Sequence, residues 1–169
     1  MDSLTIRAVE PEDLDWVYAM ENNSDTWQVS DSCMPLSRFT LSTWLASTQD
    51  IYEHKFAKLM VLHDEKPVGS LDICDIDFYH QRAKVGIWVD ANYRKKGVAK
   101  FALQWLANHA KKQLGLHNLF AEIGSSNHAS IELFKSCNYK KMGTLNKALR
   151  VGTETWEDLE IYQLSLTKR

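Results

Sequence analysis

The stretch at residues 82–110, RAKVGIWVDANYRKKGVAKFALQWLANHA, changes from the pattern of a strand to that of a helix across a short basic turn. In its first part, apolar residues alternate along one face, at Ala83, Val85, Ile87 and Val89. In its last part, they recur at helical spacing, at Val98, Phe101, Ala102, Trp105, Leu106 and Ala110. The stretch therefore predicts a strand, a turn and an amphipathic helix, and Gly115 is placed to end that helix as a left-handed cap.

Further strands and helices are predicted on both sides of this unit. LTIRAV predicts a first strand, and EPEDLDWVYAMEN and SRFTLSTWLASTQ predict two helices, separated by a polar loop at residues 22–36. FAKLMVLHD and PVGSLDICDIDFY predict two strands joined by a hairpin turn at residues 64–66. After Gly115, LFAEI predicts a strand, ASIELFKSC a helix, and residues 139–166 two strands around a turn near residues 151–153. This order predicts a mixed α/β sheet with packed helices, in a single domain spanning residues 1–169.

The composition is that of an ordinary folded protein and argues against several function classes. Hydrophobic residues make up 44% and charged residues 25% of the 169 positions, and the net charge of −2 calls for neither nucleic acid nor an anionic membrane as the main partner. We expect no signal peptide and no transmembrane segment, because no apolar run approaches the roughly 20 residues needed. Three cysteines without a CxxC pair, Cys33, Cys74 and Cys137, predict free thiols in a reducing cytoplasm. The histidines show no metal-ligand spacing, so we expect no metal site.

The basic turn RKKGVA at residues 94–99 has two interpretations. The first turn of a helix carries unpaired N–H groups and the positive end of the helix dipole, and Gly97 would let a phosphate approach the backbone closely. The alternative is an exposed basic loop whose glycine only starts the helix. Neither GxxxxGK[ST] nor GxGxxG occurs in the chain, which argues against a P-loop nucleotide triphosphatase and a Rossmann dehydrogenase.

The same turn resembles the R/Q-x-x-G-x-G/A signature of the GNAT superfamily of N-acetyltransferases. The likeness extends through KPVGSLDI, RAKVGIWVD, YRKKGVAKFALQWLANHA and LGLHNLFAEIGSSNHASIELFKSCNYKKMG. Their order and spacing are similar to the branch that includes ribosomal-protein alanine acetyltransferases and spermidine N-acetyltransferases. The resemblance implies a mostly antiparallel central sheet flanked by helices, acetyl-coenzyme A as cosubstrate, and no metal.

The resemblance also implies roles for individual residues in binding acetyl-coenzyme A. The pantetheine arm would pair with the backbone of a strand that splays from its neighbour, at Ile87, Trp88 and Val89. The pyrophosphate would be wrapped by the loop at Arg94, Lys95, Lys96, Gly97, Val98 and Ala99. Further cofactor contacts would come from the turn and helix after the fifth strand, at Asn127, Ser130, Phe134 and Lys135. Asn127 is equally suited to cap the helix that follows it.

The catalytic residues are less well marked, because two positions differ from the family pattern. Phe134 occupies the position at which spermidine-type relatives carry a Tyr that acts as general acid. Lys84 occupies the position at which many relatives carry a Glu on the fourth strand. Ser130 and Cys137 are alternative acids, and the coenzyme A thiolate can also leave unaided, since its thiol pKa is about 8.5. As general base we favour Asp72 and then Glu21. The other candidate bases are Asp31, Asp75, Asp77 and Glu122, with alternation placing Asp75 and Asp77 on the face opposite Asp72.

The function predicted from these residues is transfer of an acetyl group from acetyl-coenzyme A to a primary amine, by direct attack in a ternary complex. The acceptor could be a protein N-terminus, a polyamine, an amino sugar or another small amine, and Trp27 is the aromatic candidate for its pocket. One alternative is a regulatory module that binds acyl-coenzyme A with little or no catalysis. Another, an RNA-binding domain, finds little support in the charge pattern. The sequence leaves open whether the protein forms a homo-oligomer.

Overall fold

The computed structural model describes residues 3–23, 27, 34–47 and 50–166. Its seven strands are β1 (Leu4–Ala8), β2 (Ala57–His63), β3 (Lys66–Asp77), β4 (Arg82–Val89), β5 (Asn118–Gly124), β6 (Lys140–Arg150) and β7 (Trp156–Ser165). They form one sheet in the order β1-β2-β3-β4-β5-β7-β6. Only β4 and β5 pair in parallel among these neighbours. The expected mixed, mostly antiparallel sheet is confirmed, and it pairs strands from both halves of the described chain. The single-domain organisation stays a prediction.

Five α-helices of the described chain accompany the sheet. They are α1 (Leu14–Glu21), α2 (Arg38–Ser47), α3 (Ile51–His54), α4 (Val98–Lys112) and α5 (His128–Ser136). Four correspond to predicted helices. The one-turn helix α3 was not expected; it begins where the Asp50 carboxylate accepts hydrogen bonds from the N–H groups of Tyr52 and Glu53. Most of the predicted loop at residues 22–36 lies outside the described residues.

Two turns have the backbone conformation that their sequences predict. Asp64 and Glu65 join β2 to β3 with φ of 47° and 66°, the left-handed pair of a two-residue hairpin turn. Gly115 follows α4 with φ of 64°, and Leu116 N donates to Ala110 O over 2.9 Å, closing the end of the helix. Both predictions are confirmed.

A bulge in β3 corrects the predicted placement of its acids. Asp72 lies opposite Gly86 of β4, whereas Asp77 lies opposite Arg82, so five steps along β3 correspond to four along β4. Asp75 lies within this irregular segment with φ of 50°. Asp77 therefore shares the face of Asp72. The prediction of opposite faces is wrong because one extra residue reverses the alternation.

Helices cover both faces of the sheet. Val61 belongs to the larger core, with α4 and α5, whereas its neighbours Met60 and Leu62 belong to a smaller core with α1 and α2. Successive residues of a strand point to opposite faces, so the two cores lie on opposite sides of the sheet. We call these the α4–α5 face and the α1–α2 face.

Candidate active site

The parallel strands β4 and β5 separate partway along their length. Their pairing is confined to residues 82–84 of β4 and 118–120 of β5. Beyond residue 84, β4 keeps its partner in β3 but has none in β5, so its N–H and C=O groups on that side have no ladder partner. Ile87, Trp88 and Val89 lie in this separated part, as the resemblance requires of a splayed strand.

A cavity of about 770 Å³ occupies the gap between the two strands. From the α4–α5 face, it is lined by the start of α5 and the turn before it. From the α1–α2 face, it is lined by Trp27, whose indole N–H donates to Glu21 O over 2.6 Å. The cavity therefore connects the two faces through the sheet. Its other lining residues are Val85, Gly86, Ile87, Ala121, Glu122, Ile123, Gly124, Leu149, Arg150, Val151, Glu157 and Leu159.

The basic loop continues from the end of β4 and leads into α4. Gly97 has φ of 82°, a conformation that favours glycine, and a Cβ built there would meet no atom within 4 Å. Arg94, Lys95 and Lys96 are exposed, and the Arg94 Nε–H donates to Val89 O over 3.0 Å, tying the loop to the strand. Two further residues of the loop differ: the Val98 side chain is buried in the core, while Ala99 is partly exposed. Only backbone groups of Val98 are thus available to a ligand.

The predicted contacts after β5 divide between the cavity and the solvent. Asn127, Ser130 and Phe134 line the cavity, whereas Lys135 is exposed and forms an ion pair of 3.0 Å with Glu132. The Asn127 Oδ1 accepts from Ser130 N over 3.1 Å, so this residue caps α5, as the alternative interpretation proposed. Its Nδ2 makes no hydrogen bond with the residues that the structure describes. Phe134 is buried.

The two favoured base candidates meet at a residue that the sequence analysis missed. The Lys58 ammonium lies 3.1 Å from Asp72 Oδ2 and 3.3 Å from Glu21 Oε1. Lys58 and Asp72 are opposite one another on β2 and β3, and Glu21 is the last residue of α1. Lysine within the otherwise apolar run FAKLMVL at residues 56–62 was the available signal, because a buried charge needs a partner.

Burial and ion pairing both act on Asp72 and Lys58 in this cluster, which we call the Lys58 cluster (Glu21, Lys58 and Asp72). Desolvation raises the pKa of Asp72 above its ordinary value, and Lys58 counters this only in part. Burial also opposes the charge on Lys58, but the carboxylates of Asp72 and Glu21 outweigh it and raise the pKa of the ammonium. Asp72 Oδ1 is buried and has no hydrogen-bond partner among the described residues. The cluster is thus suited to hold or accept a proton.

The other candidate bases that the structure describes are engaged in ion pairs or hydrogen bonds elsewhere. Lys84 lies 3.1 Å from Asp75 Oδ2 and 2.9 Å from Glu122 Oε1; we call these three residues the Lys84 cluster. Asp77 accepts from His80 N over 2.9 Å in the turn before β4, and this hydrogen bond lowers its pKa. The candidate Asp31 lies outside the described residues.

The residues that could act as general acid differ in their access to the cavity. Cys137 is buried in the α4–α5 core, where burial raises the pKa of its thiol. Ser130 lies on the cavity wall. The Tyr139 ring packs edge-on against Phe134 at 4.9 Å, and its hydroxyl is buried without a hydrogen-bond partner in the described chain. Burial raises the pKa of the Tyr139 phenol above its ordinary value.

Comparison with known proteins identifies the family. The family model for the acetyltransferase (GNAT) domain matches residues 3–140. This chain belongs to the GNAT acetyltransferases. The suspected family is confirmed, and with it an N-acetyltransferase that depends on acetyl-coenzyme A.

Individual relatives agree with the expected branch. The chain is 23% identical over 143 residues to spermidine N(1)-acetyltransferase of Escherichia coli K12, covering 85% of this chain and 76% of that one. The crystal structure of spermidine N-acetyltransferase from Vibrio cholerae with CoA and spermine superposes with a TM-score of 0.88, at 18% identity over 96% of this chain and 95% of that one. A ribosomal L7/L12 α-N-protein acetyltransferase in complex with coenzyme A gives 0.85, at 16% identity over 96% and 94%. The two structural likenesses concern the fold.

Within the described ranges, no group of three or more His, Cys, Asp or Glu side chains could hold a metal ion. None of the helices described above is long and apolar enough to cross a bilayer.

Proposed function

We propose that this acetyltransferase transfers the acetyl group to a primary amine by direct attack within a ternary complex. The observation that carries the proposal is the cavity through the sheet, which has different chemistry at its two ends. On the α4–α5 face lie open backbone groups and helix starts. On the α1–α2 face lies the Lys58 cluster. A donor and an acceptor could therefore enter from opposite faces and meet beside β4.

The residues at the donor end fit acetyl-coenzyme A, whose thioester supplies the activated acetyl group. β4 and β5 are parallel, so α4 and α5, which follow them, both begin at the edge where these strands end. Helix starts and the bare backbone at Gly97 favour phosphate oxygens. The unpaired β4 backbone beyond residue 84 offers hydrogen bonds to an extended amide chain and an N–H to polarise a carbonyl.

Asp72 is the residue that we expect to take the proton from the acceptor. A free amine with pKa near 10 is mainly protonated at neutral pH, so it must lose a proton before or during attack. Asp72 lies opposite Gly86, and Gly86 lines the cavity. A Cβ built on Gly86 would lie 3.7 Å from Asp72 Cβ, so glycine leaves space above the carboxylate. Glu21, the second candidate base, holds the same Lys58 ammonium from its other side, at 3.3 Å.

The leaving thiolate has no tyrosine at position 134 to protonate it. Phe134 supplies only an apolar wall, and the Tyr139 hydroxyl is buried in the core behind it. A thiol pKa of about 8.5 allows the thiolate to leave unprotonated at neutral pH. Ser130, which shares the cavity wall with Ser126, supplies a hydroxyl that could assist.

The experiment measures coenzyme A thiol release from acetyl-coenzyme A, with and without each of a panel of primary amines. Amine-dependent thiol release, with the N-acetylated amine detected by mass spectrometry, supports the proposal. Saturable acetyl-coenzyme A binding without amine-dependent release would replace it with the binding-module alternative.

A pair of glycine variants tests the donor end in the same assay. Gly97 and Gly115 both have positive φ, 82° and 64°, and open space around the Cβ position. Gly97→Glu and Gly115→Glu should therefore cost similar backbone strain, about 1–2 kcal/mol each. Only Gly97→Glu should weaken acetyl-coenzyme A binding, by at least about tenfold, because it places a carboxylate where phosphate would approach the helix start. Lys95→Ala should have a modest effect, and equal losses in both glycine variants would argue against the phosphate-binding role.

A further inference from the structure

The Lys58 cluster already contains an ammonium group where an amine substrate would otherwise be expected to bind. Lys58 projects from β2 between two carboxylates, and only 6% of its side chain is exposed. Its ammonium also lies 5.7 Å from the centre of the Trp44 ring. A buried cation held by two carboxylates and an aromatic ring has the environment of a bound amine ligand.

This internal ammonium lies beside the cavity on the α1–α2 face. Lys58, Asp72 and Gly86 are consecutive partners across β2, β3 and β4, so they share one face, and Gly86 lines the cavity. From the other side, Glu21 is connected to the cavity through its carbonyl, which accepts the hydrogen bond from Trp27. The cluster therefore borders the part of the cavity where the acceptor would lie.

The net charge of the Lys58 cluster can be balanced by one substrate cation. Glu21 and Asp72 carry two negative charges, Lys58 carries one positive charge, and the sum is −1. Asp72 Oδ1 is a buried oxygen of this cluster that has no hydrogen-bond partner among the described residues.

The other charged residues near the cavity are paired and more exposed. Glu122, on the cavity wall, is paired with Lys84, which also holds Asp75, so this cluster too sums to −1. The Asp75 side chain is 68% exposed, so solvent screens that excess charge. Arg150 and Glu157, at the β6–β7 side of the cavity, carry opposite charges. The unbalanced negative charge that solvent screens least therefore belongs to the Lys58 cluster.

We propose that Lys58 occupies the place of a second substrate ammonium, so that the acceptor is a primary amine with a single positive charge rather than a polyamine. This inference rests on the proposed function and narrows its acceptor class. A polyamine would bring a further ammonium into a region where the protein has already placed one, and a partly desolvated cation without a carboxylate is costly. The acceptor would differ in this respect from the spermine bound in the Vibrio cholerae structure.

The wild-type enzyme provides the first test, with pentylamine and 1,5-diaminopentane as matched acceptors and spermidine as a polyamine. The two matched amines have the same chain length and differ by one ammonium. We expect kcat/KM for pentylamine to exceed that for 1,5-diaminopentane and for spermidine by at least about tenfold, the scale of one poorly paired charge. A preference for the diamine or spermidine would overturn the inference and leave the proposed function standing. If no amine releases thiol, the proposed function fails and the inference with it.

Charge variants provide the second test. Lys58→Met removes the internal ammonium and makes the cluster −2, so the ratio of diamine to monoamine kcat/KM should rise at least about tenfold. Lys58→Met combined with Glu21→Gln returns the sum to −1 and should restore the monoamine preference. Lys84→Met removes the same charge from the exposed cluster and should change the ratio less than about threefold, because solvent screens it.

Folding is checked by far-UV circular dichroism before each measurement. If Lys58→Met does not fold, Lys58→Gln replaces it, with the same expected rise in the ratio. An unchanged ratio of diamine to monoamine kcat/KM in a folded Lys58 variant would contradict a role for Lys58 in selecting an acceptor with a single positive charge. Equal changes in the Lys58 and Lys84 variants would contradict it as well.

Discussion

Two lysines on neighbouring parts of one sheet each bind two carboxylates, yet their surroundings differ. The Lys58 side chain is 6% exposed, and its partners Glu21 and Asp72 are 17% and 28% exposed. The Lys84 side chain is 39% exposed, and its partners Asp75 and Glu122 are 68% and 38% exposed. The distances are nearly the same in both clusters. The carboxylates raise the pKa of the lysine in both clusters. Burial, rather than contact geometry, therefore decides how strongly each cluster acts on the charge of a substrate, because solvent screens the exposed one.

The largest expected difference is in catalysis. Asp72→Asn should lower kcat for the preferred amine by at least about 100-fold, because general-base catalysis contributes about 10² to 10⁴ in rate. Asp75→Asn removes a carboxylate from the exposed cluster and should change kcat less than about threefold. Steady-state thiol release with both variants measures the difference. If the two variants lost similar activity, Asp72 would not be the base.

The next difference is in stability. Lys58→Met leaves two carboxylates together in a mostly buried place, and we expect it to lower the free energy of unfolding by about 3 kcal/mol at pH 7. Lys84→Met should lower it by no more than about 0.5 kcal/mol, as is usual for exposed ion pairs. Urea denaturation followed by circular dichroism measures both values.

The pH dependence of that loss provides its control. The loss in Lys58→Met should shrink at acidic pH, because Asp72, whose pKa is raised by burial, becomes protonated and no longer repels Glu21. A loss that is independent of pH would indicate a packing defect at position 58 rather than unbalanced charge.

The parts of this molecule that the sequence predicts are local. The change from alternation to helical spacing at residues 82–110 gives β4 and α4, and the left-handed conformations at Asp64, Glu65 and Gly115 follow from turn and cap chemistry. The family motif marks the donor loop because its residues are contiguous. Its cofactor contacts remain predictions, although Asn127 and Ser130 lie on the cavity wall.

The parts that the sequence does not predict depend on register and on contacts between distant segments. Lys58 meets Asp72 only through the pairing of β2 with β3, and it meets Glu21 only because α1 packs on the same face. Neither contact can be predicted from a local sequence pattern. A single extra residue in β3 likewise moves Asp77 to the face of Asp72. The cytoplasmic location, the oligomeric state and the absence of nucleic-acid or membrane partners remain predictions.

The smallest expected effect is a shift in the pH dependence of activity. Burial raises the pKa of Asp72, and the acid limb of kcat/KM should accordingly lie above the pH of about 3.9 typical of an exposed aspartate. Below that limb, Asp72 is protonated and cannot accept the proton of the amine. Lys58 lowers the pKa of Asp72, and Lys58→Met should therefore move the limb to higher pH, whereas Lys84→Met should leave it in place. Dividing each variant's kcat/KM by the wild-type value at every pH cancels the titration of the amine itself. A limb that moves equally in both variants would place the titrating group outside the Lys58 cluster, and the distinction between buried and exposed lysine would then have no catalytic consequence.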